Sequence, residues 1–318
     1  MQSGESLFYL LLSIAVLVTQ CLLGMGDCYV LTTQWLLAGA LSASIIFSIN
    51  SHRIHVFSTD GLLQLCWVLM ASVFNLCQIH LVSSLPWWQV DLLLVSFTLL
   101  FMLSIGSWLT GDNPIRFILG GMIIGLCTII YPQALLWLVL FIWQLFYMRN
   151  FTVRNMWSII SGTILMIWIN YCVMLFAFGT DEEYLESFMN LASWHLPDVV
   201  FHQSSMIYTP WVFLAFSVMI LVVCIMDGMF SNVVSSLRTH ATMVSTVTTS
   251  IALLLFMVID PSAIVLYVCM ASVLVSMNLA LVVSNVNISL MRWWITFVVV
   301  MLILLGFAEY AINYLLTL

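Results

Sequence analysis

The chain of 318 residues contains no lysine, and six arginines are its only permanent side-chain cations. So small a cationic complement excludes nucleic acid as a partner, because neutralising phosphates takes Lys or Arg in number. Charge of either sign is scarce: Asp, Glu, Lys and Arg together make up 6% of the residues, where a soluble domain carries about a quarter. That shortage excludes an ordinary water-facing surface. Catalytic signatures are missing too. There is no Walker loop, dinucleotide glycine pattern, HExxH, GxSxG or rhomboid-like Ser/His arrangement, and no motif names a cofactor. The eight cysteines stand singly with no CxxC spacing, so neither a zinc site nor a redox pair is indicated. They read as small apolar packing residues.

What the chain has in abundance is apolar length. Hydrophobic residues make up 64% of it, and the mean hydropathy is +1.18. Apolar runs recur that are long enough to cross a ~30 Å hydrocarbon layer as helices. Strict apolar/polar alternation is absent, which argues against a barrel. The expectation is an all-α, polytopic transmembrane bundle forming a single integral membrane domain over residues 1–318. Its spans fall at about 6–24, 29–48, 61–81, 89–109, 116–131, 134–148, 156–178, 209–227, 242–259, 262–284 and 293–316, ten or eleven in all. The fifth and sixth segments are short. They are either two thin spans or one re-entrant hairpin around Tyr131-Pro132.

Orientation follows from the arginines. With the N-terminus inside, Arg53, Arg116, Arg149, Arg154, Arg238 and Arg292 all fall on one side, the positive-inside pattern without exception. Asp27, Asp91, Asp181, Glu182, Glu183, Glu186, Asp198, Asp260 and Glu309 lie on or toward the other side, which gives the net charge of −7 a geometry. The first apolar run lacks a basic leader and a small-residue cleavage site, so it reads as a retained first helix.

Local signals fill in the outline. Trp87-Trp88 and Trp293-Trp294 sit at span ends, where an indole suits the headgroup region. Gly121-Met122-Ile123-Ile124-Gly125 places two glycines on one helix face and reads as helix packing inside the bundle. The sequons at Asn150 and Asn287 fall on the arginine side and should stay unmodified. The outer loop 179–208 carries a capping box at Thr180-Asp181-Glu182-Glu183, followed by Leu185, Phe188, Met189, Ala192 and Leu196 at helical spacing. It is expected to form a short amphipathic interfacial helix that ends at Pro197.

Two constellations are candidates for chemistry. His195, Asp198 and His202 offer two imidazoles and a carboxylate, a donor set suited to zinc, with surface polarity as the competing account. His80, Asp91, Asp260 and Glu309 share the outer half of the bundle. Ionisable groups at that depth should face its interior, so they outline an outward-opening acidic cavity. Asn313 shares the face of Glu309 one turn on.

The stretch Asn113-Pro114-Ile115-Arg116, Gly120-Gly121, Gly125, Tyr131-Pro132, Arg149-Asn150-Phe151 and Arg154-Asn155-Met156-Trp157 resembles an uncharacterised family of bacterial multi-span inner-membrane proteins, those with a domain of unknown function. That resemblance implies a bacterial cytoplasmic (inner) membrane and brings no activity with it. The same glycine-rich helix, proline turn and apolar helix is distantly similar to a segment of the GT-C glycosyltransferases, which would imply a polyprenyl-phosphate-sugar substrate. This chain departs from that pattern in having only a few residues around Asp27 in its first outer loop and no outer Arg or Lys. A divalent cation would then have to hold the donor phosphate. The leading expectation is a non-catalytic envelope protein, a subunit or scaffold whose partners are the bilayer and other envelope proteins or a lipid-linked ligand. A small-molecule or ion transporter is the third possibility.

Overall fold

The computed structural model describes residues 2–22, 28–51, 87–110, 113–128, 130–147, 149–178, 237–259 and 265–274, with isolated positions at 215, 217–219, 221–222, 225, 263, 300, 304 and 307–308. Among these the secondary structure is entirely helical, with no strand. The helices are α1 (Gln2–Leu22), α2 (Cys28–Ser51), α3 (Trp87–Thr110), α4 (Pro114–Cys127), α5 (Leu136–Tyr147), α6 (Val153–Phe178), α7 (Leu237–Ile259) and α8 (Val265–Leu274). A 3₁₀ turn over Pro132–Leu135 leads into α5.

Short-range chemistry sets the ends. Asn113 caps α4 by accepting from the Ile115 amide at 3.2 Å, and Pro114 follows at the first helical position, where its missing N–H costs nothing. Thr152 does the same for α6: its Oγ1 accepts from the Asn155 amide at 3.2 Å. The corner between α5 and α6 is a Schellman motif, with the Asn150 amide returning to the Leu145 carbonyl and the Arg149 amide to that of Phe146. Arg149 occupies the left-handed position of that motif, at φ 55°.

The closest helix pair is α4 against α6. A Cβ on Gly121 would press on the Ile159 carbonyl and stand 2.8 Å from the Thr163 amide nitrogen. One on Gly125 would stand 2.7 Å from Met166 Cβ, and one on Gly162 would press on the Ile118 carbonyl. Three glycines thus let two backbones touch, and both residues of the GxxxG face a helix of the same chain. Contact positions advance in the same sense on both helices (Ile118 with Gly162, Gly121 with Ile159 and Thr163, Gly125 with Met166 and Asn170), so α4 and α6 run parallel. Asn170 Nδ2 spans them, donating to the Gly125 carbonyl at 3.0 Å. Helix α5 follows α4 through the turn at Tyr131 and meets it at Gly120, which packs against the Phe141 ring.

The interior is built around α5 and α8. Phe97 of α3 stacks on Trp137 of α5 with ring centroids 4.6 Å apart, and the Trp137 indole donates to the Met270 sulfur of α8. Gln144 of α5, buried, donates to Thr249 of α7 at 3.2 Å. All ten residues of α8 are buried. Many of the exposed described residues are large and apolar, among them Trp157, Ile164, Trp168 and Phe176 of α6 and Leu11 and Val18 of α1. Among the described residues one helix, Val153–Val173 within α6, has the length and composition to cross a bilayer; the other apolar helical stretches run to 10–17 residues. The segments expected at 61–81 and in the 179–208 loop lie outside the described residues, as does nearly all of 293–316.

Candidate functional site

The polar groups gather at two ends, which the parallel α4–α6 pair defines. Arg116, Arg149 and Arg154 all sit where α4 and α6 begin, and the turn at Tyr131 marks the opposite end. At that opposite end Asp91, in the second turn of α3, accepts a hydrogen bond from Gln34 Nε2 of α2 at 3.3 Å. Ser96, one turn further along α3, hydrogen-bonds the Cys127 thiol at the end of α4. Cys269 of α8 lies within electrostatic reach of Cys127, Asp91 and Tyr131. Two more polar atoms on the same turns of α2 and α3, Trp35 Nε1 and Gln89 Oε1, are buried with no hydrogen-bond partner among the described residues.

Asp91 is therefore the fixed point of an end that holds a carboxylate, an amide, a phenol and two thiols, with no arginine there among the described residues. Both Cys127 and Cys269 are free and fully buried, the environment of a packing thiol rather than a reactive one. Four buried threonine hydroxyls are occupied locally. Thr98 donates to the Leu94 carbonyl at 2.8 Å, Thr128 to Gly125 at 2.6 Å, Thr163 to Ile159 at 3.0 Å and Thr249 to Ser245 at 2.7 Å. A hydroxyl bonded to its own helix is a structural group, and nucleophilic chemistry would need it aimed at a base.

Of the four residues expected to outline an acidic cavity, only Asp91 falls among the described residues; His80, Asp260 and Glu309 lie outside them. His195, Asp198 and His202 lie outside as well. Among the described residues no group of three or more His, Cys, Asp and Glu is placed to hold a metal ion. Reasoning from ionisable groups alone passed over Gln34, although an amide at the depth of Asp91 is the same kind of signal. The approach of Cys127 to Cys269 joins segments far apart in sequence, and no local pattern announces it. Comparison with known proteins adds no relative: no family model, no curated protein and no solved structure matches this chain.

Proposed function

We propose that the chain is a polytopic helical bundle of the bacterial cytoplasmic membrane, N-terminus inside, and a non-catalytic subunit or scaffold that acts with partner proteins. The observation that carries this reading is the distribution of polarity. Gln34, Ser96, Gln144, Thr163, Asn170 and Thr249 are buried, while Ile164, Leu165, Trp168, Val173 and Phe176 are exposed. In water that arrangement wastes apolar surface; against lipid it satisfies the polar groups inside and leaves the apolar ones where they are stable. The common end of Arg116, Arg149 and Arg154 supports the orientation.

The α4–α5 segment fits this reading as two thin spans. Gly125 stands level with Met166 and Asn170, so the turn at Tyr131 reaches the far end of the Val153–Val173 stretch instead of stopping at mid-depth. The scaffold half of the proposal draws on the locally bonded hydroxyls and on the buried, inert thiols.

Alkaline carbonate extraction tests the membrane half: the chain stays with the membrane pellet, and release into the supernatant rejects the reading. Orientation is tested by fusions, with a periplasmic reporter active at residue 190 and a cytoplasmic one active at residue 235. The opposite activities would overturn it. For the scaffold half, purification in mild detergent should bring a second protein along. A chain that purifies alone and then moves a solute or transfers a sugar in vesicles rejects it.

A further inference from the structure

At the arginine end, the α5–α6 corner presents a surface that helix packing does not explain. Arg149 and Arg154 are exposed there, and so are Phe146, Phe151 and Trp157. The Phe146 and Phe151 rings lie 6.2 Å apart across the corner. Arg154 and Trp157 follow three residues apart on α6, a spacing that shares one helix face. The corner itself is pinned: besides its Schellman bonds and the Thr152 cap, the buried Asn155 side chain donates to the Asn150 carbonyl at 3.0 Å. These cations and rings are therefore held together on a pinned corner and the two helix ends that flank it.

Arg149 is the informative residue. Its φ of 55° places an L side chain where glycine is the customary occupant and where a Cβ is penalised. Glycine would close the corner with less strain; what arginine adds is a guanidinium at the level of two exposed aromatic rings. Guanidinium groups fork onto phosphate oxygens, while an indole such as that of Trp157 settles at the headgroup boundary and phenyl rings lie just below it.

We propose that this corner is a docking surface for anionic phospholipid headgroups, with Arg149 and Arg154 engaging the phosphate and Phe146, Phe151 and Trp157 lying against the upper acyl chains. The inference rests on the membrane reading above and goes beyond it in selecting lipids by charge. Charge complementarity selects the occupant, because the patch offers two cations and the cytoplasmic leaflet is anionic.

The test uses the full-length chain in non-ionic detergent, titrated with phosphatidylglycerol, with phosphatidylcholine or with inorganic phosphate, while the thermal midpoint is followed. Phosphatidylglycerol raises the midpoint at concentrations where the other two do not. Arg149→Gly keeps or raises the midpoint without lipid, and needs about fivefold more phosphatidylglycerol for the same rise. Arg154→Gln needs a similar excess, and Arg149→Lys needs far less. Equal responses to both lipids, an unchanged titration in the Arg149→Gly, Arg154→Gln double variant, or a full response to phosphate alone would overturn the proposal. So would loss, in that double variant, of a co-purifying acidic protein while the lipid response persists. Carbonate extraction separates the two failures: a chain released from membranes sinks the membrane reading, whereas one retained there with a charge-blind lipid response sinks only this inference.

Discussion

Helices α6 and α8 are both apolar, yet they meet different surroundings. No residue of α8 is more than 8% exposed, and its neighbours on α5 and α7 reach it through Trp137 and Phe256. Along α6, Ile164 is 61% exposed and Phe176 is 86% exposed. Gly162, Thr163 and Asn170 of α6 lie on the side packed against α4. Hydrophobicity therefore does not tell which helix is central. Packing does: α6 meets α4 through close backbones and a cross-helix hydrogen bond, whereas α8 is covered on every side.

Truncation contrasts the two helices most strongly. Leu266→Ala in α8 removes a fully buried side chain, and a loss of about 2–5 kcal/mol is expected in detergent unfolding. Leu165→Ala on the exposed face of α6 should stay within about 0.5 kcal/mol. Equal losses would mean that something covers α6 as closely as α8 is covered. Next in size comes Ile164→Arg, which on a lipid-facing surface carries an insertion cost of about 3 kcal/mol. The readout is the carbonate-resistant fraction, and an unchanged fraction would show that this face is wet.

The third test addresses what holds α6. Gly121→Ala sets a methyl group against the backbone at Ile159 and Thr163 and should cost about 1–3 kcal/mol, since neither helix has a side chain there to turn aside. Gly120→Ala meets side chains, the Phe141 ring and Leu100, in place of backbone, and should cost less. The smallest effect belongs to Asn170→Leu, which leaves the Gly125 carbonyl with Thr128 as its side-chain donor. About 0.6 kcal/mol is expected, from the usual worth of a cross-helix hydrogen bond in a membrane. A double cycle with a Thr128→Val change then shows whether the two donors share that carbonyl additively.

Much of the helix layout is legible in the sequence. The run expected at 89–109 is α3 at Trp87–Thr110, that at 156–178 is α6 at Val153–Phe178, and the short pair at 116–148 is a helix, a tight turn and a second helix. Gly121 and Gly125 were singled out as a packing face on spacing alone. The site was far less legible. Asp91 was recognised by its depth, but its partner Gln34 and the thiols nearby were not, because a pair on two helices leaves no trace in the periodicity of either.

The sequence alone carries the helicity of the described residues, the places where most of the described helices begin and end, and the scarcity of charge. Each of these follows from single residues and their near neighbours: caps, apolar runs, and the presence or absence of a charge. Only the tertiary structure decided that the GxxxG meets Gly162 of α6, that α4 and α6 run parallel, and that α8 lies buried while α6 shows its apolar side. Those are properties of pairs of helices. They depend on which surfaces fit when backbones approach to contact, and two stretches of equal hydropathy differ in that only once the chain is folded.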